Sequence, residues 1–226
     1  MLRAIAPDLW DLPYHFDASG LRLMSRMTVL RLGGNRLWLH SPVPLSPQLR
    51  AQLDALGEVA FIVAPSKTHY LFAGDCAVAY PKAALFGAPG LARKRPELAG
   101  MRTLGATAEP EWADEMDQVF VGGIPIGNET AFFHRASGTL IVSDLCQWWQ
   151  GDMPFTSRVF AMATGVRTQL AVPRTIRLAV KDRAAVAASA QQILQWPFTR
   201  VVMAHNAIVE ENAHEAVQRA LSIFRN

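Results

Sequence analysis

Between Met27 and His40 the apolar residues form two short runs, Thr28-Val29-Leu30 and Leu37-Trp38-Leu39, on either side of Gly33-Gly34. Glycine takes a positive φ without a Cβ penalty, so this arrangement predicts a hairpin of two strands. Ser46 followed by Pro47 reads as an N-cap and first helical residue, and Leu49, Leu53 and Leu56 continue at helical spacing until Gly57. Val59 to Ala64 is a continuous apolar run of strand length that stops at Pro65, as a central buried strand would. Thr68 to Tyr80 has no internal proline and is expected to be helical, with Pro81 ending it before the short apolar run Ala83 to Phe86.

The pattern then turns to β. Val119 to Val121, Ala131 to His134 and Thr139 to Ser143 are strand-like, the last two joined across Ser137-Gly138 and the last ending at Asp144. Trp148, Trp149 and the segment Met153 to Thr164 suggest helical or irregular cover. Asp182 caps a helix with Val186, Ala190, Ile193 and Leu194 on one stripe, and Pro197 separates it from the strand Arg200 to Ala204. A last helix places Ala213, Ala216, Val217, Ala220, Leu221 and Phe224 on one face, with Glu210 and Glu211 at its positive end. Two successive units of sheet and covering helix, with no Pro/Gly/Ser linker between them, predict one α/β domain spanning 1–226: two stacked sheets with helices outside.

Composition narrows the function classes. Half of the 226 residues are hydrophobic and only 18% are charged, so disorder is excluded. The net charge of +3 comes from 22 scattered Lys and Arg, and the one dense group, Arg93-Lys94-Arg95, reads as a solvated loop. No basic stripe with interleaved aromatics exists, so nucleic acid is not expected as a partner. Cys76 and Cys146 stand alone, which suggests reduced, buried thiols. No apolar stretch reaches the length of about 18 residues that a bilayer requires, and the first residues lack a signal core, so a cytoplasmic protein with no membrane partner is expected.

Three polar residues fall at or just after predicted strand ends: His69, Asp144 and His205. Strand ends are where α/β folds place their sites, and two imidazoles with a carboxylate suit Zn²⁺, Fe or Mn²⁺ with a position left for water. Taken singly, each has a plainer explanation, a His bonded to a carbonyl or an Asp capping a turn. Ser66 beside Lys67 is a remote candidate for a nucleophile and base pair, and Trp148-Trp149 for a pocket wall. His40 and His134 read as supporting or structural residues, and His15 and His214 as surface or packing residues. No G-x-S-x-G, G-x-x-x-x-G-K-[ST], G-x-G-x-x-G or H-E-x-x-H occurs, which disfavours nucleotide-dependent chemistry.

The element order, with Ser66-Lys-Thr-His-Tyr-Leu-Phe-Ala-Gly74 after a buried strand, resembles the metallo-β-lactamase superfamily, a four-layer αββα sandwich. LWLHSPVPL (Leu37 to Leu45), LFGAPGL (Leu85 to Leu91) and FFH with TLIVSDL (Phe132 to Leu145) resemble its DUF4336 branch more narrowly. In that superfamily the first signature reads Thr-His-x-His-x-Asp-His-x-Gly and binds two metals that generate hydroxide. Matching its glycine to Gly74 puts Lys67, His69, Leu71 and Phe72 at its four ligand positions, so one ligand of four survives. The resemblance implies Glu129 or Asn128 at the next ligand position, Asp144 at the bridging aspartate and His205 at the last histidine. It also places His40 and Ser41 where an Asp-x-Gly turn supports the site.

Two arrangements follow from this degenerate motif. In one, a single Zn, Fe or Mn ion is held by His69, Asp144 and His205, with Glu129 or water completing it. In the other, Lys67 enters the vacated position and pairs with Asp144, leaving a metal-free polar pocket. The first implies a hydrolase of esters, lactones or thioesters, with Asp144 as ligand or base. The second implies a catalytically inactive scaffold that binds a small molecule or a protein.

Overall fold

The computed structural model describes residues 1–18, 20–98 and 100–225. Seven strands, β1 (Arg3–Ala6), β2 (Leu9–Ala18), β3 (Leu21–Leu32), β4 (Arg36–His40), β5 (Glu58–Ala64), β6 (Ala84–Gly87) and β7 (Arg102–Thr103), form one sheet in sequence order. The first four pair antiparallel and β4 through β7 pair parallel. Parallel neighbours need a crossover, and α1 (Pro47–Leu56) and α2 (Ala73–Ala79) supply the first two, with the short α3 (Leu91–Lys94) on the third. The second sheet contains β8 (Met116–Phe120), β9 (Thr130–His134), β10 (Thr139–Val142), β11 (Arg200–Met203) and β12 (Ile208–Val209), in the order β12-β11-β10-β9-β8. Its one parallel pair, β10 with β11, spans an excursion that carries α4 (Phe155–Thr164), α5 (Arg174–Leu178) and α6 (Arg183–Ile193); α7 (Ala213–Leu221) follows β12.

Side-chain alternation along the strands builds the layers. Trp38, Phe61, Val63 and Phe86 of the first sheet meet Met116, Phe132 and Ile141 of the second, with the Trp38 and Phe132 rings 4.9 Å apart edge to face. Their neighbours point the other way: Leu37, Leu39 and Ile62 pack under Leu49 and Leu53 of α1, and Phe133, Leu140 and Val201 under Val186 and Ile193 of α6 and Leu221 of α7. Both faces of both sheets are therefore buried, and the architecture is a four-layer αββα sandwich, as expected. The capping residues also act as the sequence suggests, since Ser46 Oγ accepts the Leu49 N–H at 3.1 Å and Asp182 Oδ1 the Ala185 N–H at 3.0 Å.

Several elements differ from expectation. The strands β1 and β2 were not anticipated, although Trp10, Leu12, Tyr14 and Phe16 alternate with Asp11, Pro13, His15 and Asp17. Pro13 is tolerated because the β1 register ends opposite Asp11, leaving β2 an edge at that point. The helix expected from Thr68 begins only at Ala73. Ser66 Oγ accepts the N–H groups of Thr68 and His69 at 3.3 and 3.1 Å, and this local turn replaces the first helical hydrogen bonds. Glu210 and Glu211 precede α7, whose acidic first-turn residue is Glu215, and Glu210 pairs instead with Arg200 at 3.1 Å. Lys94 ends α3 and donates to the Lys67 carbonyl at 2.7 Å, so the basic triplet is not simply a solvated loop.

Phe132→Ala removes a ring at the centre of the inter-sheet layer and is expected to cost about 3–5 kcal/mol. Val78→Ala, at an exposed position of α2, is expected to stay within about 0.5 kcal/mol. Urea unfolding monitored by circular dichroism measures both.

Candidate metal centre

The carboxyl ends of β4, β5, β10 and β11 lie side by side, and the loops leaving them carry the candidate residues. His69, Asp144 and His205 come together there, each offering one ligand atom within 4.8 Å of the others. His205 Nε2 lies 3.1 Å from Asp144 Oδ1 and His69 Nε2 lies 3.5 Å from Asp144 Oδ2. The far nitrogen of each ring is already engaged. His205 Nδ1 donates to the Met24 carbonyl at 2.6 Å, and His69 Nδ1 lies 3.0 Å from Ser41 Oγ. Because a carbonyl only accepts, the neutral His205 ring must keep its proton on Nδ1 and turn the Nε2 lone pair toward Asp144.

Each of the three is held by a specific local device. Ser41 has a left-handed backbone, φ 53°, which aims its hydroxyl at His69 as the chain leaves β4. The carbonyls of Met203, Asn206 and Ala207 flanking His205 all accept from the buried guanidinium of Arg26, at 2.5, 2.6 and 3.1 Å. The turn carrying Asp144 is organised by Glu129, whose carboxylate accepts the N–H groups of Ser143, Asp144 and Leu145 at 2.6, 2.8 and 2.9 Å. Asp144 in turn accepts from the Thr68 hydroxyl at 2.7 Å and from Gln147 Nε2 at 2.9 Å.

Two expectations are corrected by this geometry. Glu129 is not among the converging ligand atoms, because it is buried beneath the turn with its oxygens committed to the main chain. Lys67 does not enter the vacated ligand position or pair with Asp144: its Nζ donates to the Pro125 carbonyl at 2.8 Å. That orientation also removes the Ser66 and Lys67 nucleophile pair, and Ser66 Oγ is occupied by the Thr68 hydroxyl at 2.8 Å. Leu71 and Phe72 line the approach to the site, with Phe72 packed edge to face on Tyr14.

The remaining candidates fall outside the cluster. His40 stacks on Trp38 between the sheets with neither ring nitrogen partnered, and burial together with nearby His69 pushes it down to about 3. His134 bonds Ser137 Oγ at 2.8 Å, His214 bonds the Leu194 carbonyl at 3.0 Å, and His15 lines a separate cavity beside His205. Trp149 walls the approach and donates its indole N–H to Gln147 at 2.9 Å. Ser41, which the resemblance set at a supporting turn, does support His69, whereas the sequence reading missed Thr68, Gln147, Arg26 and the Met24 carbonyl. The position of Thr68 one residue before His69 is the only signal that pointed to any of them, since the others act through three-dimensional proximity.

The electrostatics are those of a charged core of the site. Burial alone would raise Asp144 and lower His205, but their hydrogen bond and mutual charge, with His69 adding to the effect on Asp144, outweigh it. Asp144 is held well below the usual carboxylate range and His205 above the usual imidazole range. Burial and then the Asp144 charge push Glu129 up to about 8, against its three main-chain N–H donors.

Residues 8–159 match the family model described as a domain of unknown function, DUF4336. The chain belongs to the DUF4336 family. No curated protein matches it. Among solved structures, it is similar to a metallo-β-lactamase from Pontibacter korlensis, at 14% identity and a TM-score of 0.66 over 100% of this chain and 99% of that one. A metallo-β-lactamase from Erythrobacter litoralis gives 15% identity and a TM-score of 0.66, covering 99% of this chain and 95% of that chain. The metal-soaked flavodiiron core of Flv1 from Synechocystis gives 10% and 0.68, with 99% of this chain matched to 60% of that one. At these identities the likeness establishes the fold: this member of the DUF4336 family has the metallo-β-lactamase fold, and its His and Asp group is chemically able to hold a metal.

In metal-free protein, the raised His205 contributes stability below the unfolded imidazole value that is lost as pH rises through its folded value. The depressed Asp144 contributes stability above the unfolded carboxylate value that is lost as pH falls. Glu129, raised to about 8, binds its proton more tightly when folded and so also favours lower pH. Urea midpoints measured with chelator across about pH 4 to 9 are expected to peak on the weakly acidic side of neutrality. His205→Asn should flatten part of the alkaline decline and leave the share belonging to Glu129.

Proposed function

We propose that this protein is a metal-dependent hydrolase, carried by one domain over residues 1–226, with a mononuclear site at His69, Asp144 and His205. The observation that carries the reading is the convergence of two imidazole Nε2 atoms and one carboxylate whose supporting partners are already in place. A bound zinc, iron or manganese ion would supply Lewis acidity and lower the pKa of a coordinated water toward neutrality.

The chain's own residues then have defined tasks. The Met24 carbonyl keeps the Nε2 lone pair of His205 facing inward, and the Ser41 hydroxyl holds the His69 ring with its Nε2 toward Asp144. Asp144 Oδ2, joined to the Thr68 hydroxyl, takes the proton of the attacking water and passes it to the leaving group. Water oxygen joins the acyl carbon, the acyl C–O or C–S bond of an ester, lactone or thioester breaks, and the leaving oxygen or sulfur receives that proton. Leu23 and Trp149 cover the site with apolar surface and limit bulk water.

One observation favours a metal-free binding scaffold as the second reading. Asp144 has four polar neighbours, Thr68, Gln147, His69 and His205, so the cluster is also satisfied as an ion-paired group without an ion. A small molecule or a protein partner would then occupy the same approach.

Elemental analysis by mass spectrometry, on protein purified without chelator or affinity metal, separates the two. The hydrolase reading expects about one zinc, iron or manganese per chain, falling below about a tenth in His69→Ala and Asp144→Ala. A folded chain free of metal that takes up none of the three ions on titration would leave the scaffold reading in its place.

A further inference from the structure

We infer that the substrate is uncharged and carries apolar groups on both sides of the bond that is cut, an inference that rests on the hydrolase reading of the same site. Two clefts open from the cluster and share Leu23, Thr68, Asp144 and His205. One, of about 270 Å³, runs beneath α4 and α5 and is walled by Ile126, Trp149, Phe160 and Ile176. The other, of about 340 Å³, runs toward β2 and is walled by Phe16, Pro42, Leu71 and Phe72. The polar groups in them are hydroxyls, Gln147 and the three cluster residues, and among the described residues no lysine, no arginine and no second acid lines either cleft.

Of the lysines in the adjoining loops, Lys67 donates to the Pro125 carbonyl and Lys94 to the Lys67 carbonyl, with Lys94 Nζ 4.6 Å over the Tyr70 ring at the edge of the second cleft. Arg22 lines a third cavity, which shares Leu23, Trp149 and His205 with the first cleft, and there Asp152 faces the same space. A carboxylate or phosphate on a substituent lying along either wall would shed its hydration with no lysine or arginine lining the cleft to replace it, which acts against it. Apolar substituents meet the opposite balance, since each methylene moved out of water onto these walls is favourable.

The test compares decanamide with the monoamide of decanedioic acid, which differs by a carboxylate at the far end of the chain. Calorimetric titration of the protein as purified is expected to show decanamide binding at least about tenfold tighter. Ile126→Lys, at an exposed rim position that folding tolerates, should narrow that gap about tenfold by supplying the missing cation. In parallel, hydrolysis of p-nitrophenyl octanoate is compared with that of the mono-p-nitrophenyl ester of octanedioic acid. Equal or tighter binding of the carboxylated amide, or no binding of decanamide, overturns the inference. Equal cleavage of both esters overturns it while leaving the hydrolase reading intact. Selective binding of decanamide with neither ester cleaved overturns the hydrolase reading and leaves an uncharged, apolar ligand as the occupant.

Discussion

The guanidinium of Arg26 is the constraint on which the site depends. It sits on β3 with 3% of its side chain exposed, paired at 2.8 Å with Asp11, which has none exposed. Burying an ion pair costs several kcal/mol of hydration for each charge unless its remaining hydrogen-bonding capacity is filled. Here the remaining donors reach across to the second sheet and take the carbonyls of Met203, Asn206 and Ala207. Those carbonyls flank His205, so the desolvation cost of one arginine is offset by fixing the loop that presents an imidazole. Removing Asp11 would leave the guanidinium without its counter-charge, and removing Arg26 would leave Asp11 to Arg3 alone and free the three carbonyls.

Glu129 solves the matching problem on the other side. A chain leaving β10 and entering irregular structure exposes consecutive N–H groups that no strand can satisfy, and a buried carboxylate takes three of them at once. The segment that carries Glu129 is itself tied to the first sheet, through Thr130 N–H to the Pro65 carbonyl and Lys67 N–H to the Gly127 carbonyl. The loops bearing His69 and Asp144 are therefore fixed to one another through the Glu129 segment. Site geometry at this end of the sandwich is set mainly by main-chain hydrogen bonds to two buried side chains, the guanidinium of Arg26 and the carboxyl group of Glu129.

This division explains what was legible in the sequence. Strands β4, β5, β9, β10 and β11 and helices α1 and α6 carry their own signals, a hydrophobic period with a cap or a proline at the end, and these sufficed for the architecture. His69, Asp144 and His205 were legible because they follow those strands directly. The roles of Glu129 and Lys67 were not, because a linear motif assigns a residue to a position and not a direction. Glu129 points into the main chain and Lys67 points to a carbonyl, each for reasons of local hydrogen bonding that a ligand pattern does not encode. Arg26 and Asp11 were invisible for a related reason, since a buried ion pair looks in sequence like two surface charges on an amphipathic strand.

The same cluster accommodates protons or a metal ion, and the two compete. A protonated His205 is stabilised by Asp144, so an ion that requires the neutral ring must displace a proton held more tightly than in a free imidazole. Asp144 remains ionised over the whole neutral range, however, so its charge is available to either occupant. The Met24 carbonyl serves both occupants, because its hydrogen bond to Nδ1–H favours the charged ring and, in the neutral ring, fixes the tautomer that leaves Nε2 free. The second-nitrogen partners, Ser41 and Met24, thus orient the two rings whether the cluster holds a proton or an ion.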